Sequence, residues 1–177
     1  MSKEDKIIIL DFGSQYTQLI ARRVREIGVF SVILPSDISI DKIQSLNPNG
    51  VILSGGPETV TESGTPKINK ALFDTDIPLL GICYGMQTMA QELGGIVIQS
   101  NKREFGHATI NKINNSILFD EVNFKNDTLN VWMSHGDKVS VIPNNFNPIA
   151  ESDNCPIAAF AHIDKDWFGL QFHPEVT

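Results

Sequence analysis

The nine residues Leu-Leu-Gly-Ile-Cys-Tyr-Gly-Met-Gln at positions 79–87 join an apolar run to a stretch of helical character. Their centre has the pattern Gly-x-Cys-x-Gly, in which glycines flank Cys83 two residues away on each side. This pattern is typical of a nucleophile elbow, a sharp strand-to-helix turn where any Cβ at the glycines would collide with neighbouring backbone. It predicts that Cys83 starts a helix, where backbone dipoles favour a thiolate; a buried core cysteine is the alternative.

The chain before this turn alternates short apolar runs with helical patterns. Runs such as Ile7 to Leu10 and Pro78 to Ile82 are continuously apolar, as expected for parallel strands covered on both faces by helices. The alternating segments are KIIILDF, SQYTQLIARRVREIG, SVILP, SIDKIQSL, GVILSGG, PKINKALF, IPLLGIC and YGMQTMAQELGG. We therefore predict an α/β fold whose open central sheet is mostly parallel, with ligands bound at the carboxyl ends of its strands.

The chain after Gly95 has a different character. Strand-like stretches with Asn-rich turns replace the helical period, and residues 96–170 are predicted to form largely antiparallel strands and hairpins that extend or flank the sheet. No repeat, low-complexity segment or linker is visible. The 177 residues are therefore expected to form one domain.

Composition excludes several classes of partner. The chain has 14 basic and 21 acidic residues, so its net charge of −7 argues against nucleic-acid binding. The arginines at 22, 23 and 25 fit the solvated face of a helix.

The N-terminus has four consecutive apolar residues, too few for a signal peptide or a membrane span, and a cytosolic location is expected. Cys83 and Cys155 lack the spacing of a zinc site or a disulfide framework.

A nucleophilic cysteine needs a base and a group that orients the base. Residues 171–175, Gln-Phe-His-Pro-Glu, follow a strand-like run. Because residues two apart point to the same side of extended backbone, Glu175 is placed to lie beside His173, and Pro174 biases His173 toward that conformation. Cys83, His173 and Glu175 therefore form a candidate triad. A strand-end turn with a surface carboxylate is the alternative.

The other histidines are weaker candidates for the base. His162 fits a partly exposed strand residue, and His107 has no acidic neighbour at a useful spacing. His135 lies in residues 132–137, Trp-Met-Ser-His-Gly-Asp, which we interpret as a polar loop between two strands that could hold a ligand. Gly55 and Gly56 close the third strand, and their backbone could form an oxyanion hole or cradle a phosphate. No Gly-rich nucleotide motif supports the phosphate.

Three segments, GICYGMQ, LSGGPE and QFHPEVT, resemble in this order the signature segments of class I glutamine amidotransferase domains. Residues 9–26, 101–106 and 132–139 are similar to the amidotransferase domains of GMP synthetases in particular. The resemblance implies a flavodoxin-like core and a triad of Cys83, His173 and Glu175. It also implies roles in binding substrate: the backbone N–H groups of Gly56 and Tyr84 for the oxyanion, and Gln87, Ser134, His135 and Gly136 for the amino-acid end.

The resemblance further implies L-glutamine as substrate and an ATP-pyrophosphatase synthetase domain as partner. That domain would use ATP and Mg²⁺ to aminate XMP with the ammonia released here; no cofactor or metal is expected in residues 1–177. Its phosphate loop does not occur in this sequence, and the family's closing helix is not reached, so an excised domain with weak glutaminase activity is expected. Residues 102–106 are the candidate docking surface for the synthetase domain.

Two other functions remain open. The same three catalytic residues could serve a hydrolase for another γ-glutamyl substrate, such as a peptide. Alternatively, the chain could be a non-catalytic binding module of the flavodoxin-like type, with Cys83 serving only in packing.

Overall fold

The computed structural model describes residues 5–176. Helices and strands alternate in the first half of this segment, and strands dominate the second half. In chain order the elements are β1 (Lys6–Asp11), α1 (Thr17–Glu26), β2 (Phe30–Pro35), α2 (Ile40–Ser45), β3 (Gly50–Leu53), β4 (Leu79–Ile82), α3 (Tyr84–Glu92), β5 (Ile96–Lys112), β6 (Thr128–Val141), β7 (Phe146–Glu151), β8 (Ala159–His162) and β9 (Trp167–Leu170).

All nine strands belong to one sheet in the order β2-β1-β3-β4-β9-β8-β7-β5-β6. The strands β2, β1, β3, β4 and β9 are parallel to their neighbours in this half of the sheet. This is the strand order of flavodoxin-like folds, so the predicted fold class is confirmed. The parallel half gains one strand from the region predicted to be largely antiparallel: β9 pairs in parallel with β4 and antiparallel with β8.

The antiparallel half is built from fewer and longer strands than the sequence predicted. The stretches IVIQS and HATINKI both belong to β5, which has 17 residues, and β6 runs without a break for 14 residues. The prediction of a loop at residues 132–137 was therefore wrong, because these residues lie inside β6. The reason is visible in the burial of β6, where inward-facing positions alternate regularly and two of them carry the polar residues His135 and Asp137.

Helices cover both faces of the parallel half. Ile8 and Leu10 of β1 face the core that contains Met86 and Met89 of α3, together with Ile43 of α2. Ile9 faces the other way and packs with α1. This explains the continuous apolar runs, since neither face of these strands meets solvent. A helix predicted near residues 66–73 is instead a short 3₁₀ turn at Lys70–Asp74.

The arginine cluster of α1 is exposed, as predicted. Arg22 and Arg23 both pair with Glu26, at 2.9 Å and 3.1 Å, and Arg25 donates to the carbonyl of Ser31. Within residues 5–176, none of the helices has the length and apolar character needed to cross a bilayer.

The turn between β4 and α3 is packed so closely that its two glycines have steric roles. A Cβ at Gly81 would lie 2.7 Å from the backbone nitrogen of Met86, and one at Gly85 would lie 2.2 Å from the carbonyl oxygen of Leu53. Both obstacles are backbone atoms, which cannot rotate away. The glycines therefore allow α3 to begin directly against the carboxyl ends of β3 and β4.

We predict that Gly85→Ala destabilises the fold by at least about 3 kcal/mol, because the added Cβ would collide with a strand carbonyl. Any gain in helix propensity, at most about 1 kcal/mol, is too small to offset the collision. Urea unfolding followed by circular dichroism measures the loss.

Gly28→Ala is the matched control. Gly28 has a φ of +83° and open space around the position of a Cβ, so alanine there meets only backbone strain, about 1–2 kcal/mol. Equal losses for the two variants would contradict the steric role of Gly85.

Candidate active site

Three neighbouring parallel strands bring the predicted site residues to one edge of the sheet. Gly55 and Gly56 follow β3, Cys83 follows β4, and His173 lies just beyond β9. These strands are adjacent in the order β3-β4-β9 and parallel, so their carboxyl ends lie on the same rim. Residues far apart in the chain thus meet where open α/β sheets bind ligands.

Cys83 occupies a strained backbone conformation at the start of α3. Its φ and ψ are 51° and −105°, in a region that residues other than glycine rarely adopt. The N–H of Tyr84 is the first of α3, a position without an intrahelical acceptor. The Cys83 sulfur is 3.5 Å from the carbonyl oxygen of Ser134 and 3.7 Å from Nε2 of Gln171. The predicted elbow is therefore present, with the thiol among polar groups.

His173 and Glu175 form a buried pair beside Cys83. The imidazole Nδ1 lies 2.8 Å from Oε1 of Glu175, and the two residues are only 4% and 3% exposed. A Cβ at Gly55 would be 3.0 Å from the His173 ring and 3.8 Å from Cβ of Cys83, so both side chains flank the same small gap. The His173 backbone N–H donates to Trp132 of β6 at 2.9 Å. The structure thus brings all three predicted catalytic residues together.

The charge state of His173 follows from these neighbours. Burial by itself lowers the pKa of His173, but the side-chain interactions with Cys83 and Glu175 outweigh burial and raise the pKa to about 9. At neutral pH the imidazole of His173 is therefore protonated. Arg23 reaches the same corner and donates from Nε to the backbone carbonyl of Glu175 at 3.3 Å.

Gly56 and Tyr84, the predicted oxyanion donors, both line the cleft above Cys83. The side chain of Tyr84 is engaged elsewhere: its ring packs against Phe12, and its hydroxyl donates to the carbonyl of Pro66 at 2.5 Å. A Cβ at Gly56 would lie 2.7 Å from the carbonyl oxygen of Phe12. What these two residues can offer a ligand is therefore their backbone N–H groups.

The cleft has a volume of about 400 Å³ and contains every predicted substrate-binding residue. Its lining includes the nucleophile, the β6 segment, and residues of the loop after β3. The lining residues are Gly56, Pro57, Glu58, Thr59, Glu62, Cys83, Tyr84, Gln87, Gln99, Arg103, Phe105, Ser134, His135, Gly136 and Asp137. This volume suits a single amino acid.

The β6 segment that lines the cleft consists of Ser134, His135, Gly136 and Asp137. Both nitrogens of the His135 ring are already engaged, Nδ1 with the carbonyl of Asp137 at 3.0 Å and Nε2 with Glu104 at 3.1 Å. Burial lowers the pKa of His135, against the opposing effect of Glu104. His135 thus lines the cleft as predicted, but its ring is bonded within the protein, and Ser134 and Gly136 offer backbone groups beside it.

The side-chain amides of Gln87 and Gln171 contact one another and link α3 to the nucleophile, and the family resemblance implied a role for Gln87. The Nε2 of Gln87 donates to the carbonyl of Asp137 at 2.9 Å and lies 3.3 Å from Oε1 of Gln171. Gln171 in turn contacts the Cys83 sulfur, and it was missed. Its signal was available, because Gln171 lies two residues before His173, the same spacing that paired His173 with Glu175.

Three further residues of the cleft region were also missed: Glu104, which binds His135; Asp137, which accepts from Thr59 through its carboxylate; and Arg103, whose side chain lies over Gly136. Arg103 and Glu104 lie in the segment predicted to dock the synthetase domain, and Asp137 lies in the segment predicted to be a loop, but none of the three was assigned a role in the cleft. Their positions depend on pairing between β5 and β6, which the sequence did not reveal.

The remaining histidines and the second cysteine lie outside this site. His107 is exposed and packs edge-on against Trp132, and Nδ1 of His162 accepts from the backbone of residues 164 and 165. Cys155 is fully buried, and burial raises the pKa of its thiol to about 12. Within residues 5–176, no three acidic, histidine or cysteine side chains are grouped so as to hold a metal ion.

Sequence comparison agrees with this geometry. The family model described as glutamine amidotransferase class-I matches residues 8–177. The chain is 56% identical over 174 residues to a GMP synthase [glutamine-hydrolyzing] of Ruthia magnifica, covering 98% of this chain and 33% of that protein. A protein of the same name from Vibrio cholerae is 53% identical with the same coverage. The chain thus spans about a third of the length of these curated relatives.

Solved structures show the same fold. A GMP synthase subunit protein from Thermoplasma acidophilum superposes with a TM-score of 0.82 and 28% identity, covering 99% of this chain and 87% of that one. A glutamine amidotransferase from Thermotoga maritima gives 0.76 and 23%, covering 98% and 77%. At that lower identity the second match supports the fold alone.

We predict that His173 titrates near pH 9 in NMR spectra of the ring protons. Cys83→Ala should lower this pKa, because it removes a raising interaction while burial remains. Since folding raises the pKa from its ordinary value of 6.5, the protonated ring stabilises the fold fully below pH 6.5. That contribution is lost as pH rises through about 9, and the loss should be smaller in Cys83→Ala.

His162 is the internal reference in the same spectra, since burial lowers its pKa and it should titrate below the ordinary value. A His173 pKa at or below 6.5, or one unaffected by Cys83→Ala, would contradict this assignment of charge.

Proposed function

The chain belongs to the class-I glutamine amidotransferase family, and we propose that it hydrolyses L-glutamine to glutamate and ammonia through a thioester on Cys83. The observation that carries the proposal is the convergence of Cys83 with the His173–Glu175 pair, whose Nδ1 and Oε1 are 2.8 Å apart. A thiol at a helix N-terminus beside a protonated imidazole is the arrangement that favours a nucleophilic thiolate.

In the first half of the reaction, the Cys83 thiolate attacks the side-chain amide carbon of glutamine. The carbonyl oxygen becomes an oxyanion facing the N–H groups of Gly56 and Tyr84; a donor of this kind contributes about 2.7–4 kcal/mol in comparable sites. His173, held by Glu175, then gives its proton to the departing nitrogen. Ammonia leaves, and the glutamyl group remains on the sulfur.

In the second half, His173 is neutral and can take a proton from water. The hydroxide equivalent attacks the thioester carbonyl, the carbon–sulfur bond breaks, and the new carboxylic acid of glutamate forms; it loses its proton to the solvent, where the released ammonia becomes ammonium. The Cys83 thiolate and the protonated His173 are restored. The carboxylate of Glu175 keeps the Nδ1 proton in place throughout, so that Nε2 is the nitrogen that exchanges protons.

The substrate's amino-acid end is assigned to the cleft beyond Cys83. Backbone groups of Ser134 and Gly136, together with Gln87, lie on its wall. Arg103 lies there as a cation and Glu58 as an anion, charges that suit an α-carboxylate and an α-ammonium group. These roles follow from position in the cleft and from charge complementarity.

The names of the relatives indicate what the ammonia serves. We propose that it passes to an ATP-pyrophosphatase synthetase domain that aminates XMP to GMP, and that ATP and Mg²⁺ act there and not on residues of this chain. Cys83 and Cys155 are both free thiols, which is consistent with a reducing compartment and supports a cytosolic reaction. Residues 102–106 remain the proposed docking surface; they lie within β5, and Phe105 is 67% exposed.

We predict that a glutamine-like diazoketone labels Cys83 and not Cys155. Cys83 lines the cleft beside His173, whereas Cys155 is fully buried with a pKa of about 12. Peptide mapping by mass spectrometry locates the adduct. Cys83→Ala should abolish labelling and lower glutamine turnover at least about a thousandfold.

Cys155→Ala is the control and should keep both labelling and turnover per folded molecule. An unlabelled Cys83 in folded protein that also shows no turnover would favour the non-catalytic binding module and refute the proposed hydrolase.

We predict that free glutamine is preferred over a γ-glutamyl peptide by at least about tenfold in kcat/KM. A peptide leaving group would have to occupy the gap between Cys83 and His173, where even a Cβ at Gly55 would be 3.0 Å from the imidazole. Coupled assays of glutamate release measure both rates. Equal turnover of the two substrates would support the hydrolase of another γ-glutamyl compound instead.

A further inference from the structure

A second imidazole–carboxylate pair lies behind the cleft, and the proposed reaction makes no use of it. His135 Nε2 is 3.1 Å from Oε2 of Glu104, with side chains that are 1% and 11% exposed. Residues after β7 bind the other carboxylate oxygen: Ser152 Oγ is 3.4 Å and Asn154 Nδ2 is 3.3 Å from Oε1 of Glu104. Burying most of a carboxylate is costly unless it is hydrogen-bonded, and these three partners offset that cost for Glu104.

The protons of this pair are tightly constrained. Nδ1 of His135 faces the carbonyl oxygen of Asp137, so it must carry a proton to donate. Nε2 lies 3.1 Å from Oε2 of Glu104 on the other side of the ring. The ring is thus fixed at both nitrogens, and Glu104 determines its orientation.

The pair lies at an irregular point in the sheet. Regular pairing of β5 with β6 breaks between Gln99, which pairs with Asp137, and Glu104, which pairs with His135. In this interval β5 contains extra residues, and the backbone ladder is interrupted. The side-chain bond from Glu104 to His135 therefore adds a link between the strands at the end of the regular ladder, next to the interruption.

What this tie holds is the wall of the active site. The carbonyl of Asp137 accepts from both His135 and Gln87, and Gln87 leads through Gln171 to the Cys83 sulfur. On the same segment, the Ser134 carbonyl lies 3.5 Å from that sulfur. A shift of the His135 ring would move residues 134–137 relative to the nucleophile.

We propose that Glu104, acting through His135, is a positioning residue that holds the β6 segment 134–137 in the geometry that binds glutamine beside Cys83. The inference rests on the proposed function. It assigns to Glu104 a role in substrate affinity that is separate from the chemistry of Cys83, His173 and Glu175.

The test compares Glu104→Ala with Glu104→Gln in the 177-residue chain. Glu104→Ala removes the tie and should raise KM for glutamine about 10- to 100-fold, the effect of a displacement of about 1 Å in a positioned site. Labelling by the glutamine-like diazoketone should slow in parallel. Iodoacetamide alkylates Cys83 without using the amino-acid subsite, so the rate of this alkylation should stay within about twofold of the wild-type rate. A general loss of structure would change this rate as well.

Glu104→Gln should recover most of the affinity, because its amide can donate to Nε2 of a neutral His135 and still accept from Asn154. Glu151→Ala, at an exposed carboxylate on β7, is the matched control and should behave as wild type. If Glu104→Ala does not fold, Asn154→Ala removes one donor to Glu104 from outside the cleft and should raise KM a few fold.

Three outcomes overturn the inference: an unchanged KM in Glu104→Ala or in the folded Asn154→Ala, a Gln variant as impaired as the Ala variant, or equal losses of diazoketone and iodoacetamide reactivity. An inactive wild-type chain would instead refute the proposed function itself. If the wild-type chain is active and Glu104→Ala leaves its KM unchanged, only the positioning role is overturned.

Discussion

The site depends on one steric constraint, the close approach of α3 to the ends of β3 and β4. Gly85 lies against the carbonyl of Leu53 and Gly81 against the first turn of α3, with no space for a Cβ at either position. That approach forces Cys83 into a left-handed conformation with φ of 51°. The strain is local, and the well-packed core on both faces of the sheet maintains it. This conformation places the Cys83 thiol at the N-terminus of α3, on the same rim of the sheet as the segments that follow β3 and β9.

The electrostatics of the rim follow from how its charges are grouped. An isolated charge as buried as Glu175 or His173 would be strongly disfavoured, but together with Cys83 they form a set in which each charge has a partner. The two histidines of the site region show how much the partners matter. Burial lowers the pKa of both rings, yet the pKa of His173 rises to about 9 because two partners favour its charged form, whereas that of His135 stays below the ordinary value. The imidazole is thus held in its charged form at one position, whereas at the other it is hydrogen-bonded within the protein through both ring nitrogens.

The first four parallel strands and the residues of the triad could be predicted from local sequence, whereas the parallel placement of β9 and the pairing of β5 with β6 could not. Strands covered on both faces are continuously apolar, and the elbow and the His173–Glu175 spacing each depend on neighbouring residues. The misread segment is Ser134 to Asp137. Its polar residues looked like a loop, but His135 and Asp137 occupy inward positions of an otherwise alternating strand, because each is hydrogen-bonded there. A polar residue at a core position looks like a turn until its partner is known, and the partner of His135 is 31 residues away.

The two halves of the sheet also contribute different parts of the proposed site: the parallel half holds the catalytic residues, and the antiparallel half holds much of the cleft wall. The proposed reacting groups, Cys83 and His173, follow β4 and β9, whose positions are determined by the parallel sheet. The cleft wall comes from β6, which is at the far edge of the same sheet and reaches the rim through contacts with the segment after β9, such as the hydrogen bond from His173 to Trp132. Changes in the register or loops of β5 and β6 could therefore alter what the cleft binds while leaving Cys83 and His173 in place.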